Sequence, residues 1–465
     1  MSDAVLVIGG GIAGLRSALD LAHAGARVIV LESRATIGGK LVSLLEEGGG
    51  GLDLPEASWL PTLAAVAKVP DIEVLTLSEL VDLKGEPGDF TATIRSRARF
   101  VTDVCDRCNV CRQVCPVVKP NEYDAGFTFR KAIFSPLRDP VPSSYVIDIE
   151  SCLNDPPNYV PCQRCVQSCH VHAIRFDMPV ERTFTRDVGS VIVATGFDTT
   201  DLRGLDRYGY GTHPDVISSI ELERLFAPSG ATGGNAERPS TESDPERVAI
   251  IITDSSEFTW TYSGRHAMRL LDQAIENVTV VYEAAPRGGH DPGSFLAGPQ
   301  APKVRMVRGQ VMRTEVAEGS SLRLHYRDLE QDTEAEAEFD LIVVAAGVRP
   351  PAGLGSLTTI LGVRQSSDGF IRTIESDGVR VATSRPGVYA CGCVNGPKNI
   401  RESLLESAAA VEKALPHLGK RFQLRRVADR DGSRPGSPDL RNRMEHVVAS
   451  LLSIGEKRLS KQLDR

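Results

Sequence analysis

Apolar positions along this chain follow two rhythms. Short unbroken runs, suited to strands buried on both faces of a parallel sheet, occupy 4–8, 27–31, 191–194, 247–252, 278–282 and 340–347. Helical spacing follows the first run, with Leu15, Leu19 and Leu21, and returns at 263–276 and in the alanine-rich stretch 402–415. Residues 90–100 alternate like a half-buried strand. Strand, helix and strand thus recur twice, which predicts an α/β protein with two βαβ units. Neither rhythm holds between 101 and 187, where cysteines crowd, and the pattern of the first region resumes at Val188. A Gly-, Ser-, Pro- and Thr-rich stretch at 227–246 marks a loop at a domain boundary. The expected organisation is one domain in three pieces (1–100, 188–235 and 341–415), an insertion at 101–187, a second domain at 236–340 and a tail at 416–465. The tail is basic. Its stripe of Leu440, Met444, Val447, Val448, Leu451 and Leu452 predicts a helix docked on the body or on a dimer mate.

Composition narrows the class. The 465 residues are 41% hydrophobic and 25% charged, ordinary for a globular chain. A net charge of −8 argues against a general nucleic-acid binder. No apolar run is long enough to cross a bilayer. The first residues lack the basic start of a signal peptide, and Gly9, Gly10 and Gly11 break the apolar run. Ten cysteines without such a signal predict a cytoplasmic protein that uses thiols for metal or redox chemistry.

The first βαβ unit carries Gly9-Gly10-Gly11-Ile12-Ala13-Gly14 between strand and helix, and its second strand ends at Glu32. Gly9 permits the tight turn, Gly11 the approach of a pyrophosphate, and Gly14 close helix–strand packing. The helix N-terminus offers N–H groups to phosphate, and Glu32 stands where ribose hydroxyls are held. The Gly38-Gly39 pair with Lys40 resembles the two-dinucleotide-binding-domain, thioredoxin-reductase-like flavoproteins, where it approaches FAD. Ala194-Thr195-Gly196 resembles that superfamily's ATG strand. Residues 386–393 resemble its last FAD motif, G-V-Y-A-x-G-D, with Gly392 kept and Cys393 in place of the acid. FAD is therefore the expected cofactor. The second unit has no glycine between Thr253 and Ser263, so a nicotinamide pyrophosphate could not approach the backbone. The same region has no Cys-x-x-Cys, which excludes a working thioredoxin reductase. Cys391 reads as a small packed residue and Cys393 as a flavin contact. A C-x-C disulfide would be strained.

Eight cysteines fall into two groups. Cys105, Cys108, Cys111 and Cys115 are spaced C-x2-C-x2-C-x3-C-P, and Cys152, Cys162, Cys165 and Cys169 follow. Three thiolates on one tight loop suit a [4Fe–4S] cube, with the fourth cysteine, before proline, turned toward a neighbouring cluster. Zinc more often takes two pairs, and disulfides need an oxidising compartment. The second group has a long first gap, and His170 stands where proline would. It could hold a second cube or lend some thiols to a single atypical one. His170 and His172 read as solvated loop histidines.

Residues 123–134 and 140–148 of the insertion, with Cys393-Val394-Asn395-Gly396-Pro397-Lys398, resemble the A-type subunits of heterodisulfide reductase. Asn399 departs from that family's aspartate. The resemblance covers most of 1–415 and is strongest to the short A-type proteins of sulfur-oxidising prokaryotes. It implies an oxidoreductase component that exchanges electrons between FAD and iron–sulfur clusters. It also implies a homodimer, partners resembling the B- and C-type subunits, a lipoate-binding protein met through the complex, and a role for Lys398 and Cys393 at the flavin.

Overall fold

A computed structural model describes residues 2–40, 65–154, 161–296, 298–317, 321–376 and 378–419. The apolar stripe expected at 440–452 lies outside the described residues.

The first domain is built on a seven-stranded sheet. Its order is Ile374–Ser376, Val379–Ala382, Val388–Ala390, Ser190–Val193, Ala4–Ile8, Arg27–Glu32 and Ile72–Thr76. The run from Val388–Ala390 to Ile72–Thr76 is parallel. Ala4–Ile8 is buried along its whole length, as an unbroken apolar run demands of a central parallel strand. Helix Ile12–His23 covers one face, sharing a core with helix Ile400–Ala414 through Leu15, Ala18, Leu21, Ala410 and Ala414. The latter helix starts from a capping box in which Asn399 and Glu402 satisfy each other's backbone N–H groups.

A three-stranded antiparallel sheet of Ser78–Glu86, Asp89–Arg97 and Glu181–Val188 flanks this domain. Arg97 stands opposite Glu181 in the ladder. The cysteine-rich segment therefore leaves and re-enters at adjacent points. The first-domain pattern resumes at Glu181, earlier than the Val188 expected, because the polar outer face of that strand hides its periodicity. The insertion has a core of its own, in which Phe100, Ile133, Tyr145, Ile147 and Ile174 pack with Cys111, Cys152 and Cys165.

The second domain is another seven-stranded sheet, ordered Val216–Ser218, Leu341–Ala345, Arg247–Ile252, Asn277–Tyr282, Arg305–Val316, Leu322–Asp328 and Thr333–Phe339. This corrects two boundaries. Leu341–Ala345, expected back in the first domain, pairs in parallel with both Val216–Ser218 and Arg247–Ile252. Helix Ser219–Phe226, also expected in the first domain, buries Leu222, Leu225 and Phe226 in the second core. A five-residue apolar strand fits the centre of either sheet, so pattern alone does not say which. The chain crosses between the domains on a short ribbon pairing Asp198–Thr199 with Val348–Arg349.

Candidate functional site: a nucleotide cradle beside two cysteine sets

The fold gathers four separated glycine motifs at one end of the first sheet. Gly9 has φ +110°. The Gly10 N–H donates to Glu32 Oε2 at 2.9 Å, and the Arg34 N–H donates to Oε1 at 2.8 Å, so Glu32 is fixed at its strand end. The Gly38 N–H donates to the Gly10 carbonyl at 2.7 Å. A Cβ on Gly39 would stand 2.9 Å from Gly11 Cα, so only glycine lets this turn lie on the first loop. Ala194 is held to Ile8 by a backbone bond of 2.7 Å. Gly392, at φ +73°, would place a Cβ 2.9 Å from that of Ala13. Two features fit FAD here. Gly11 and Gly196 face open space where a side chain would stand, and Thr195 Oγ1 is buried with no hydrogen-bond partner.

Two cations and a thiol border the cradle. Lys40 Nζ lies 3.2 Å from Asp198 Oδ1 and over the Phe197 ring at 5.2 Å. Burial lowers its pKa, and Asp198 opposes the shift. Cys393 Sγ donates to the Lys398 carbonyl at 3.3 Å. Burial pushes that thiol up, with Lys398 opposing. Lys398 Nζ pairs with Glu406 Oε1 at 2.7 Å and with Asn395. Cys391 is fully buried, with Ser17 and Ser407 hydroxyls at 3.8 and 4.0 Å, and burial drives its thiol up to about 12. It is a neutral packing group.

The eight insertion cysteines gather as two sets of four that cross between the motifs. Cys105, Cys108, Cys111 and Cys169 line one small cavity with Tyr145 and Ile174. Cys115, Cys152, Cys162 and Cys165 line another with Pro116 and Ile147. Two five-residue helices, Val110–Val114 and Arg164–Ser168, present Cys111 and Cys165 inward. Burial raises the Cys111 thiol to about 12 and the Cys165 thiol to about 11, and neighbouring thiols of each set add to it. Four thiols converging on a small pocket are the donor set a [4Fe–4S] cube requires. His170 is not needed as a ligand. It is exposed, bonded to Asp106 Oδ2 at 2.9 Å, with Nδ1 3.9 Å from Cys108 Sγ.

Sequence reasoning missed the joint between insertion and cradle. Arg99 is largely buried there. It donates to the Ala35 carbonyl at 2.6 Å, to Ser144 Oγ at 2.9 Å, to the Ser144 carbonyl at 3.1 Å and to Thr76 Oγ1 at 3.3 Å. Burial pulls its pKa down to about 10, with Tyr123 and Cys105 opposing, so it is charged at neutral pH. The Val141 N–H donates to Thr36 Oγ1 at 3.0 Å, and the Ile37 N–H to the Val141 carbonyl at 3.2 Å. The insertion thus grips residues 35–37, immediately before the Gly38-Gly39 turn. Asp124 of the insertion also forms a buried ion pair of 3.0 Å with Arg224 of the second domain. These contacts join segments far apart in sequence, and no local spacing announces them.

In the second domain, the loop after Arg247–Ile252 is filled by its own side chains. The Asp254 carboxylate accepts from the Ser256 N–H and hydroxyl and lies against Gly347. Ser256 caps helix Glu257–Asp272, which starts six residues earlier than expected. Phe258 in its first turn meets Phe197 edge-on at 5.5 Å and stacks on Tyr262 at 5.5 Å.

Comparison with known proteins agrees with this geometry. Residues 4–58 match a family described as an FAD binding domain. A thioredoxin reductase structure from Lactococcus lactis covers 90% of the chain with a TM-score of 0.50 at 14% identity, which shows the fold. The A-type iron–sulfur subunit of CoB–CoM heterodisulfide reductase from Methanocaldococcus jannaschii is 31% identical over 453 residues, 92% of this chain and 66% of the relative. Its counterpart from Methanopyrus kandleri, the second of two in that organism, is 33% identical over 429 residues, 89% of this chain and 64% of the relative. The chain spans about two thirds of the length of these relatives. Among the described residues, no helix is long and apolar enough to cross a membrane. The chain is an α/β flavoprotein of two dinucleotide-binding-type domains, and it belongs to the family of heterodisulfide reductase A-type subunits.

Proposed function

We propose that this chain is the electron-transferring subunit of a heterodisulfide-reductase-like complex, holding one FAD and two [4Fe–4S] clusters and serving sulfur-compound oxidation. When bound, these groups supply conversion between paired and single electron transfer. The observation that carries the reading is the joint at Arg99, which sets the two cysteine sets beside the nucleotide cradle. Gly9, Gly11, Gly14, Glu32, Gly38, Gly39, Lys40, Ala194, Thr195, Gly196 and Gly392 would hold FAD. Cys393 and Lys398 would face its reacting end, where a cation and a buried thiol bear on flavin charge. The first cluster would use Cys105, Cys108, Cys111 and Cys169, and the second Cys115, Cys152, Cys162 and Cys165. A homodimer working with B- and C-type subunits, and through them with a lipoate-binding protein in the cytoplasm, completes the proposal.

The second domain is read as a fixed support and not as a nicotinamide site. Asp254 and Phe258 favour this, because a carboxylate and an aromatic ring fill the space a dinucleotide would enter. The test is anaerobic. Protein carrying about eight irons per FAD should keep its flavin absorbance when NADH or NADPH is added. It should lose that absorbance with dithionite. Rapid bleaching by either nicotinamide would overturn the reading in favour of a self-sufficient NAD(P)H oxidoreductase.

A further inference from the structure

The last flavin motif of this chain has a thiol where an acid is expected, and the structure brings a different acid to the same place. Glu406 projects from the second turn of helix Ile400–Ala414. Its Oε2 accepts the Gly392 N–H at 2.9 Å and Asn395 Nδ2 at 3.3 Å. Its Oε1 accepts Lys398 Nζ at 2.7 Å. The side chains of Lys398 and Glu406 are only 13% and 16% exposed. Few waters can therefore screen this pair, and the carboxylate compensates the lysine where compensation counts most. Glu406 also stands one helical turn from Ser403 and beside Ser407, both buried, so its backbone is anchored. Gly392 packs on Ala13 of the nucleotide-binding helix, so the carboxylate ties the lysine to the wall of the cradle.

We propose that Glu406 is a positioning residue for the flavin site. It replaces the acid absent at Cys393, holds Lys398 Nζ and the Gly392 N–H from one carboxylate, and sets the potential of bound FAD by neutralising the lysine. The inference rests on the reading that Lys398 faces the flavin. An uncompensated lysine stabilises a reduced, more negative flavin. Releasing Lys398 should therefore make the flavin easier to reduce, and removing Lys398 should make it harder.

The experiment is a dye-coupled anaerobic titration of flavin potential in the cluster-loaded, FAD-loaded protein, for wild type, Glu406→Gln, Lys398→Met and the double variant. Glu406→Gln should shift the midpoint upward by at least a tenfold change in the reduction equilibrium, about 30 mV for a two-electron couple. Lys398→Met should shift it downward. In the Lys398→Met background, Glu406→Gln should lose most of its effect, as a residue acting through the lysine must. An unchanged midpoint in Glu406→Gln, with FAD content and melting temperature measured alongside, would reduce Glu406 to a structural role and overturn the proposal. An equal shift in both backgrounds would overturn it too, since the charge would then act directly. If Lys398→Met itself leaves the midpoint unmoved, it is the placement of Lys398 at the flavin that fails, and the inference falls with it. Should Glu406→Gln not fold, Glu406→Asp, too short to reach both partners, should shift the midpoint in the same direction by a smaller step. No shift there would be equally fatal.

Discussion

The crossed assignment of the cysteines can be tested by pairing substitutions. Alanine is the replacement to use, since a serine oxygen can take over a lost iron bond. If Cys169 completes the set of Cys105, Cys108 and Cys111, then Cys105→Ala with Cys169→Ala damages one site only. Iron should fall from about eight to about four per chain. If Cys115 belongs with Cys152, Cys162 and Cys165, then Cys115→Ala with Cys169→Ala takes one ligand from each set. Iron should then fall to near zero. An assignment by sequence neighbourhood predicts otherwise: the Cys105/Cys169 pair would strip both sites. The more local pair, Cys105→Ala with Cys115→Ala, would then strip only one, whereas the crossed sets predict that it strips both. Iron and acid-labile sulfide on anaerobic protein decide between these patterns, with low-temperature EPR to count the centres. FAD content is the internal control. The cores that carry the cradle contain none of the eight cysteines, so flavin should remain near one per chain in every variant. Four irons retained in the Cys115/Cys169 variant would refute the crossed sets.

Other outcomes follow from single contacts. Gly39 has φ +60° and stands against Gly11. Gly39→Ala adds about 1–2 kcal/mol of left-handed backbone strain and a clash, and should weaken FAD retention about tenfold, read as flavin per chain after gel filtration. Arg99→Met leaves four buried acceptors without their donor, offset by the cost of burying the charge. It should destabilise the protein by about 2–4 kcal/mol, while Arg99→Lys recovers part of that. A melting temperature within a degree of wild type in the methionine variant would show that the joint is not held there. For Asp148, burial raises the carboxyl pKa, but bonds from Lys119, Arg130 and Ser151 outweigh it and bring the group to about 2. A folded pKa below the unfolded one means its stabilisation is complete above about pH 4 and is lost as pH falls toward 2. Melting of cluster-free protein across that range should show the step, and Asp148→Asn should remove it.

Much of the cradle was legible because its requirements are local. A pyrophosphate needs bare backbone next to a strand end, and only glycine supplies it, so Gly9, Gly11, Gly14 and Gly39 declare themselves in the residue string. The three-cysteine loop at Cys105–Cys111 is legible for the same reason. What completes each set is a matter of where two loops meet, and that depends on Ile133, Tyr145 and Ile147 lying between them. No spacing rule contains this. The misplaced strand Leu341–Ala345 fails in a related way, since burial on both faces removes the alternation that would mark its neighbours.

Glu406 is the most instructive omission. It lies in a helix otherwise read as alanine-rich packing, and its role follows only once Gly392, Asn395 and Lys398 are folded against it. A charge lost from position 393 and recovered 13 residues later leaves the motif looking defective and the site electrically intact. The insertion, too, is tied to the cradle by residues distant in the chain. Its ends meet at Arg97 and Glu181 on adjacent strands, so it adds no strain to the flavin domain, yet Arg99 and Val141 tie it to residues 35–37 of that domain. A segment so joined is held at a fixed distance from the cradle by hydrogen bonds on both sides. That is the physical condition for electrons to pass between cysteine-bound iron and flavin at a steady rate, and loosening Arg99 should slow that transfer even where both cofactors remain bound.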